Sequence, residues 1–143
     1  MNSVLDASAL IAVLLDEPGA AQALEAAGDG GAVTSINFAE VRDYVARSVD
    51  EPDAAAAADG FIDRGMSVLP CDRDLARRAA ELRSAHYRRR SRTISLADCF
   101  AIAAAEAHGV PLVTCDQDQA TVARAVGVAV LAIPNSAGSV PHV

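Results

Sequence analysis

Acidic side chains in four separate segments are the residues of this sequence best suited to carry out chemistry. Asp6 and Asp116 each follow a short apolar run, whereas Glu40 and Asp98 lie near the starts of helical stretches. Carboxylate oxygens with no His or Cys among them suit Mg²⁺ or Mn²⁺ better than Zn²⁺. The four acids are therefore a candidate site for a divalent cation.

The strongest argument for a metal concerns Asp98. It lies in the stretch 96–108, which is apolar nearly all round and contains no Arg, so the sequence predicts a buried helix. A buried carboxylate is costly unless a cation or hydrogen-bond donors meet it. A bound metal ion would satisfy that requirement.

Each acid also has a purely structural interpretation at the start of a helix. Asp6 and Asp116 occupy positions where an N-cap is expected, and Asp is a favoured cap. The segments 95–98 (SLAD) and 37–40 (NFAE) both match a capping box. Glu40 also points away from the apolar stripe of its helix, so an exposed surface position is an equal alternative for it.

Short apolar runs alternate with helical stretches along the chain, and these elements must position the acids. The predicted strands are 4–5, 32–34, 67–69, 111–114 and 128–132. The predicted helices are 8–15, 20–27, 36–48, a helix from Pro52 to about 64, 72–89, 96–108 and 117–126. This order is typical of an α/β sandwich with a parallel sheet. Asp6 and Asp116 would share one cleft if the first and fourth strands were neighbours.

Composition indicates one globular domain, which we assign to residues 1–133, followed by a flexible tail at 134–143. Hydrophobic residues make up 52% and charged residues 22% of the chain. The three cysteines form no C-x-x-C pair, which favours reduced thiols in a cytoplasmic protein over a disulfide or zinc framework. We expect neither a signal peptide nor a membrane-spanning segment.

All twelve Lys and Arg residues of the chain are arginines, and most of them lie between residues 73 and 92. The absence of lysine excludes a Walker-A phosphate loop and Schiff-base chemistry. Residues 73–92 hold eight arginines against two acids, a net +6 in a chain of net −7. Such a patch could bind RNA phosphates, or its arginines could pair with acids elsewhere on the surface. The candidates for RNA binding are Arg83, Arg88, Arg89, Arg90 and Arg92.

Four motifs in order resemble those of the PIN-domain ribonucleases, and among them the VapC toxins of toxin–antitoxin pairs. The matching runs are VLDASAL at 4–10, AEV at 39–41, SLAD at 95–98 and LVTCDQD at 112–118. The resemblance implies a three-layer α/β/α sandwich with a five-stranded parallel sheet in the order 3-2-1-4-5. It thereby implies that the first and fourth strands are neighbours.

The resemblance also implies an activity and a set of roles. Asp6, Glu40, Asp98 and Asp116 would hold Mg²⁺ or Mn²⁺, with Asp118 as a fifth acid and with Ser8 and Thr114 lining the site. The chain would be an endoribonuclease toxin that hydrolyses RNA phosphodiesters with metal-activated water. Its partners would be a VapB-like antitoxin and a second copy in a homodimer, or a larger toxin–antitoxin assembly.

Two other functions match part of this pattern, that of a phosphatase and that of a non-catalytic binding module. A phosphatase of the haloacid dehalogenase type also begins with an Asp after a strand, but it needs a second Asp two residues on and a lysine. This chain has Ser8 at that position and no lysine. A non-catalytic PIN-like binding module would be expected to lack one or more of the four acids, and all four are in place.

Overall fold

A parallel sheet forms the centre of the molecule. The structure is a computed structural model that describes residues 1–50 and 53–142. Within those residues, five parallel strands form one sheet in the order β3-β2-β1-β4-β5. The strands are β1 (Ser3–Leu5), β2 (Gly31–Thr34), β3 (Ser67–Leu69), β4 (Leu112–Thr114) and β5 (Val130–Ala132). The predicted fold class is confirmed, including the place of β1 beside β4.

Helices cover both faces of the sheet because its central strands are apolar on both sides. Val4 packs with α5, α6 and α7, whereas the next residue, Leu5, packs with the earlier helices. The helices are α1 (Ala7–Leu14), α2 (Ala20–Gly28), α3 (Ser35–Ser48), α4 (Asp59–Asp63), α5 (Arg73–His86), α6 (Leu96–His108) and α7 (Gln117–Ala125). None of the helices in the described ranges is long and apolar enough to cross a membrane.

The single helix predicted from Pro52 to about residue 64 is wrong. Pro52 lies outside the described residues, and the rest of the segment forms a 3₁₀ helix, Ala55–Ala58, followed by the short α4. Arg42 of α3 contacts the starts of both helices: its guanidinium donates to the Ala55 carbonyl and pairs with Asp59. This contact holds the start of the segment against α3.

The long helix predicted to run to residue 89 is also wrong at its end, because α5 stops at His86. Tyr87 takes an extended conformation, and the chain then reverses. Arg88 and Arg92 exchange two backbone hydrogen bonds of 2.9 Å, and the one from the Arg88 N–H to the Arg92 carbonyl cannot form in a helix. We call residues 88–92 the arginine turn.

The segment after β5, expected to be a loose tail, makes defined contacts with α7. Val143 lies outside the described residues. The backbone of His142 exchanges hydrogen bonds of 2.9 Å with the side chain of Gln117, and its carbonyl also accepts from Arg124 at 2.9 Å. The end of the described chain is thus attached to the helix that Asp116 caps.

Gly31 at the start of β2 is required by close packing. A Cβ atom there would lie 2.7 Å from the Ala26 carbonyl oxygen and 2.8 Å from the Ala27 Cα, both of which are backbone atoms. We expect Gly31→Ala to lower the free energy of unfolding by about 1–3 kcal/mol, the usual cost of overpacking. Urea unfolding measures the change. Gly28→Ala is the control, since a Cβ at Gly28 meets no atom within 4 Å; an equal loss in both variants would contradict the packing argument.

Candidate active site

The candidate acids gather at the carboxyl edge of the sheet because helices begin there directly after strands. Asp6 follows β1 and caps α1, and Asp116 follows β4 and caps α7. Thr34 ends β2 and caps α3, the helix that carries Glu40. The positive ends of these helices favour nearby negative charge. The arrangement agrees with the rule that parallel α/β sheets bind ligands at this edge.

Asp6 is the most buried of the acids, with 2% of its surface exposed. Its Oδ1 accepts from the Ser8 hydroxyl at 2.7 Å and from the Ala9 backbone N–H at 2.9 Å. Its Oδ2 accepts from the Thr114 hydroxyl of β4. The two polar residues expected to line the site, Ser8 and Thr114, therefore both contact Asp6 and fix its orientation.

Burial dominates the electrostatics of Asp6. Desolvation raises the pKa of its carboxyl from 3.8 to about 7. The hydrogen bonds from Thr114, Ser8 and Ala9 act in the opposite direction, and the negative charge of Asp98 adds a smaller increase. Near neutral pH this carboxyl is therefore poised between its neutral and charged forms, and a nearby cation would favour the charged form.

Asp98 is half-buried rather than fully buried, and its hydrogen-bond partner is the one that the capping-box interpretation predicts. The predicted capping box is present: Ser95 accepts from the Asp98 N–H, and the Asp98 carboxylate accepts from the Ser95 N–H at 2.9 Å. Burial raises the pKa of Asp98, and the charges of Asp116 and Asp118 raise it further. The hydrogen bond from the Ser95 N–H offsets part of the desolvation of Asp98. It does not offset the repulsion from the charges of Asp116 and Asp118.

Glu40 is half-buried and lies near Asp98, so it is more than a surface residue. Burial is the largest cause of the raised pKa of Glu40, and the charge of Asp98 adds to it. The capping box expected at 37–40 is wrong, because the cap of α3 is Thr34 and its hydroxyl accepts from the Asn37 N–H at 3.0 Å. Asn37 instead lies inside the helix, with its side-chain amide 3.5 Å from Glu40 Oε1.

Asp116 and Asp118 lie toward the outside of the cluster. Asp116 is exposed, and its Oδ1 accepts from the Gln119 N–H at 2.8 Å. Asp118 is half-buried and accepts from the Thr93 N–H at 3.1 Å. Thr93 directly follows the arginine turn, so its hydrogen bond to Asp118 connects that turn to the acidic cluster.

The chemistry of this cluster fits a hard cation. Among the described residues, none of these five acids pairs with an Arg, a His or the N-terminus within 4.0 Å. The negative charge of Asp98 adds to the effect of burial in raising the pKa of both Asp6 and Glu40. However, within 1–50 and 53–142 no three His, Cys, Asp or Glu side chains are close enough to hold one ion as they stand. The acids form an open anionic cluster, and ligation would require side-chain rotation.

The arginines of residues 73–92 include some that pair with acids and some that do not. On α5, Arg77 and Arg78 pair with acids, as the structural alternative proposed. The predicted candidates make no ion pair within the described residues. Of these, Arg83 lies over the Tyr87 ring at 4.4 Å and donates to the Ile94 carbonyl, and Arg92 is half-buried. The remaining candidates, exposed in the arginine turn, are Arg88, Arg89 and Arg90.

Two further polar residues at the site were missed by the sequence analysis. Asn37 and Gln119 are fully buried, and their side-chain amides reach the first turn of α6. The available signal was a carboxamide at a core-facing position of an otherwise amphipathic helix. A buried amide has to be hydrogen-bonded, so such a position indicates a specific polar contact.

Comparison with known proteins identifies the family. The PIN domain model matches residues 3–125, which include every acid of the cluster. The chain belongs to the PIN-domain family. PIN domains are nucleases, and this membership removes the phosphatase alternative. No curated protein matches the chain.

Solved structures of VapC and VapBC proteins share the PIN fold of this chain. VapC20 of Mycobacterium tuberculosis, described as a toxin that cleaves the sarcin–ricin loop, is 19% identical, with a TM-score of 0.69 over 89% of this chain and 96% of that one. DNA-bound VapBC of Salmonella typhimurium is 19% identical, with a TM-score of 0.71 over 91% and 96%. VapBC-5 of M. tuberculosis is 27% identical, with a TM-score of 0.60 over 90% and 96%.

Proposed function

We propose that this PIN domain is a metal-dependent endoribonuclease and the toxin of a VapBC-like pair. The observation that supports the proposal is the cluster of Asp6, Glu40, Asp98 and Asp116, in which burial and neighbouring negative charge raise the pKa of the first three. Among the described residues, none of the four forms an ion pair. The description of VapC20 as an RNA-cleaving toxin supports RNA as the substrate class.

The acids would hold Mg²⁺ or Mn²⁺, with Asp6 as the fixed ligand at the base of the site. Ser8 and Thr114 keep its carboxylate oriented, and Asp98 faces it from α6. Glu40 and Asp116 would complete the set, with Asp118 as a fifth acid. A cation held there would supply an activated water and positive charge for the scissile phosphate.

Cleavage of RNA by the purified chain tests this proposal. We expect endonucleolytic cuts in the presence of Mg²⁺ or Mn²⁺, complete inhibition by EDTA, and recovery when excess Mn²⁺ is added back. Cleavage that persists in EDTA would contradict metal dependence. An intact chain that binds no metal and cuts no RNA would support the alternative of a non-catalytic binding module.

The partner proposals rest on the kind of structures that share this fold. Several of these are complexes of a VapC-type toxin with its antitoxin, which supports a VapB-like partner for this chain. We further propose a homodimer or a larger toxin–antitoxin assembly in the cytoplasm. Growth arrest on expression, reversed by an adjacent small reading frame, would identify the antitoxin.

The arginine turn is the proposed contact for RNA phosphates. Asp118 and Arg83 form hydrogen bonds with the segment that follows the turn, and Arg89 and Arg90 are exposed to solvent. An acidic protein needs such a local positive surface to hold a polyanion close to its own carboxylates. The turn would place RNA beside the metal ligands.

Charge reversal in the turn should weaken RNA binding. For Arg89→Glu with Arg90→Glu we expect at least about a tenfold loss of affinity for RNA and a shallower dependence on salt, because fewer phosphates are neutralised. Filter binding to a catalytically inactive form, over a series of salt concentrations, measures both. The matched control reverses Arg73 and Arg77 on α5. An unchanged salt slope in the turn variant, or the same change in the control, would contradict a specific role for the turn.

A further inference from the structure

Two buried side-chain amides donate hydrogen bonds to the first turn of α6, the helix that carries Asp98. Asn37 of α3 and Gln119 of α7 are both 0% exposed. Nδ2 of Asn37 donates to the Ala97 carbonyl at 3.1 Å, and Nε2 of Gln119 donates to the Asp98 carbonyl at 3.2 Å. Two successive carbonyls of one turn are thus held from two other helices.

The same two residues are also connected, directly or through Thr114, to other candidate ligands. Nδ2 of Asn37 lies 3.5 Å from Glu40 Oε1. Oε1 of Gln119 lies 3.4 Å from the hydroxyl of Thr114, which donates to Asp6. The backbone N–H of Gln119 donates to Asp116 at 2.8 Å. Through these two residues, α6 is linked to Glu40, to Asp116 and, by way of Thr114, to Asp6.

These hydrogen bonds fix the position of α6 and are not needed to satisfy its backbone carbonyls. Within an α-helix each carbonyl already accepts from the N–H four residues later, so Ala97 and Asp98 do not need a second donor. An apolar side chain could fill the same space without the cost of burying a polar amide. The presence of two buried amides here therefore indicates that the first turn of α6 has to be held in a defined position.

We propose that Asn37 and Gln119 form an amide clamp that positions Asp98 relative to Glu40 and Asp6 for cation binding. The proposal rests on the metal-dependent function given above. Like charges on three helices repel one another, and a helix start without lateral restraint would move away from the cluster. The clamp fixes the backbone of α6, so the Asp98 carboxylate needs only side-chain rotation to ligate.

Near-isosteric apolar substitutions test the clamp. Gln119→Met and Asn37→Leu remove the amides and keep most of the volume. In the purified full-length chain we expect the Mn²⁺ dissociation constant, measured by calorimetry, to rise about 10–100-fold, as it does when partners behind metal ligands are lost. The Mn²⁺ concentration for half-maximal RNA cleavage should rise in parallel, with much of the maximal rate recovered at high Mn²⁺.

Matched controls separate the clamp from a general effect of losing an amide. Gln117→Met removes a glutamine two residues away on α7, whose amide bonds to the tail and to Thr121. Asn2→Leu removes an asparagine that holds the Asp29 carbonyl at the opposite edge of the sheet. Both controls should bind Mn²⁺ like the wild type.

Folding is monitored by thermal unfolding of each variant. If Gln119→Met or Asn37→Leu lacks a cooperative transition, Gln119→Asn and Asn37→Ser decide the question, because they stay polar but are too short to span their partners. Folded clamp variants that bind Mn²⁺ within twofold of the wild type would overturn the clamp and leave the proposed function intact. A folded wild type that neither binds Mn²⁺ nor cleaves RNA would overturn both.

Discussion

Asp98→Asn is expected to reduce RNA cleavage by at least about 100-fold while leaving the protein folded. Loss of a partner behind a metal ligand alone costs 10–100-fold in affinity or activity, so loss of a ligand should cost more. Asparagine keeps an oxygen that can accept from the Ser95 N–H, so the capping box survives the change. Initial cleavage rates over a series of Mn²⁺ concentrations, together with circular dichroism, provide the measurement.

Asp72→Asn is the matched control for Asp98→Asn. Asp72 also starts a helix and accepts from a backbone N–H at 2.9 Å, but it caps α5 and lies outside the anionic cluster. Its substitution should leave cleavage within about twofold of the wild type, as expected for a surface change. Equal loss in both variants would show that helix capping, rather than charge at position 98, governs activity. Full activity in Asp98→Asn would remove Asp98 from the metal set.

Asp6→Asn is expected to make the metal-free protein more stable at pH 8 while abolishing cleavage. The pKa of Asp6 is raised in the folded state to about 7 from 3.8, so the folded protein binds this proton more tightly than the unfolded chain does. Stability from this group is present below pH 4 and is lost as the pH rises toward 7. A shift of this size corresponds to at most about 4 kcal/mol. Asparagine does not ionise, and it can still cap α1.

Thermal unfolding between pH 4 and pH 8 in EDTA measures this difference. The two proteins should be similar near pH 4, and Asp6→Asn should become the more stable as the pH rises through 7. Added Mn²⁺ should then stabilise the wild type at pH 8 and have little effect on Asp6→Asn, since a ligand stabilises only the state that binds it. A constant difference across the pH range would contradict the raised pKa.

Much of the fold was predictable because its signals are local. The strand at 112–114 reads as continuous apolar sequence since both of its faces are buried, and Asp6 and Asp116 were predictable as residues that follow strands. The predicted helix at 96–108 has the bounds of α6, and Gly109 follows it with a φ of 64°, a conformation that glycine adopts without strain. Strand order came from the family resemblance, because periodicity alone carries no information on which strands are neighbours.

The incorrect or missing parts depend on contacts between distant segments. The end of α5 at His86 is set by a chain reversal closed between Arg88 and Arg92, and the helical pattern of the sequence continues past it. The contacts of Asn37 and Gln119 with α6 span 60 and 21 residues, respectively, so no local window contains both partners. The surroundings of Asp98 were partly misjudged because apolar periodicity does not report how deeply a helix start is buried.

The central position of β1 has a consequence for how the protein is made. β1 emerges first from the ribosome, yet one of its two neighbours, β4, begins only at Leu112. Until that strand is synthesised and inserted, Asp6 lacks the Thr114 hydroxyl, and Asp98 has no Gln119 to hold its helix. The acidic cluster of a nascent chain is therefore incomplete until β4 and α7 have been synthesised and folded. The proposed nuclease activity would begin only at that stage.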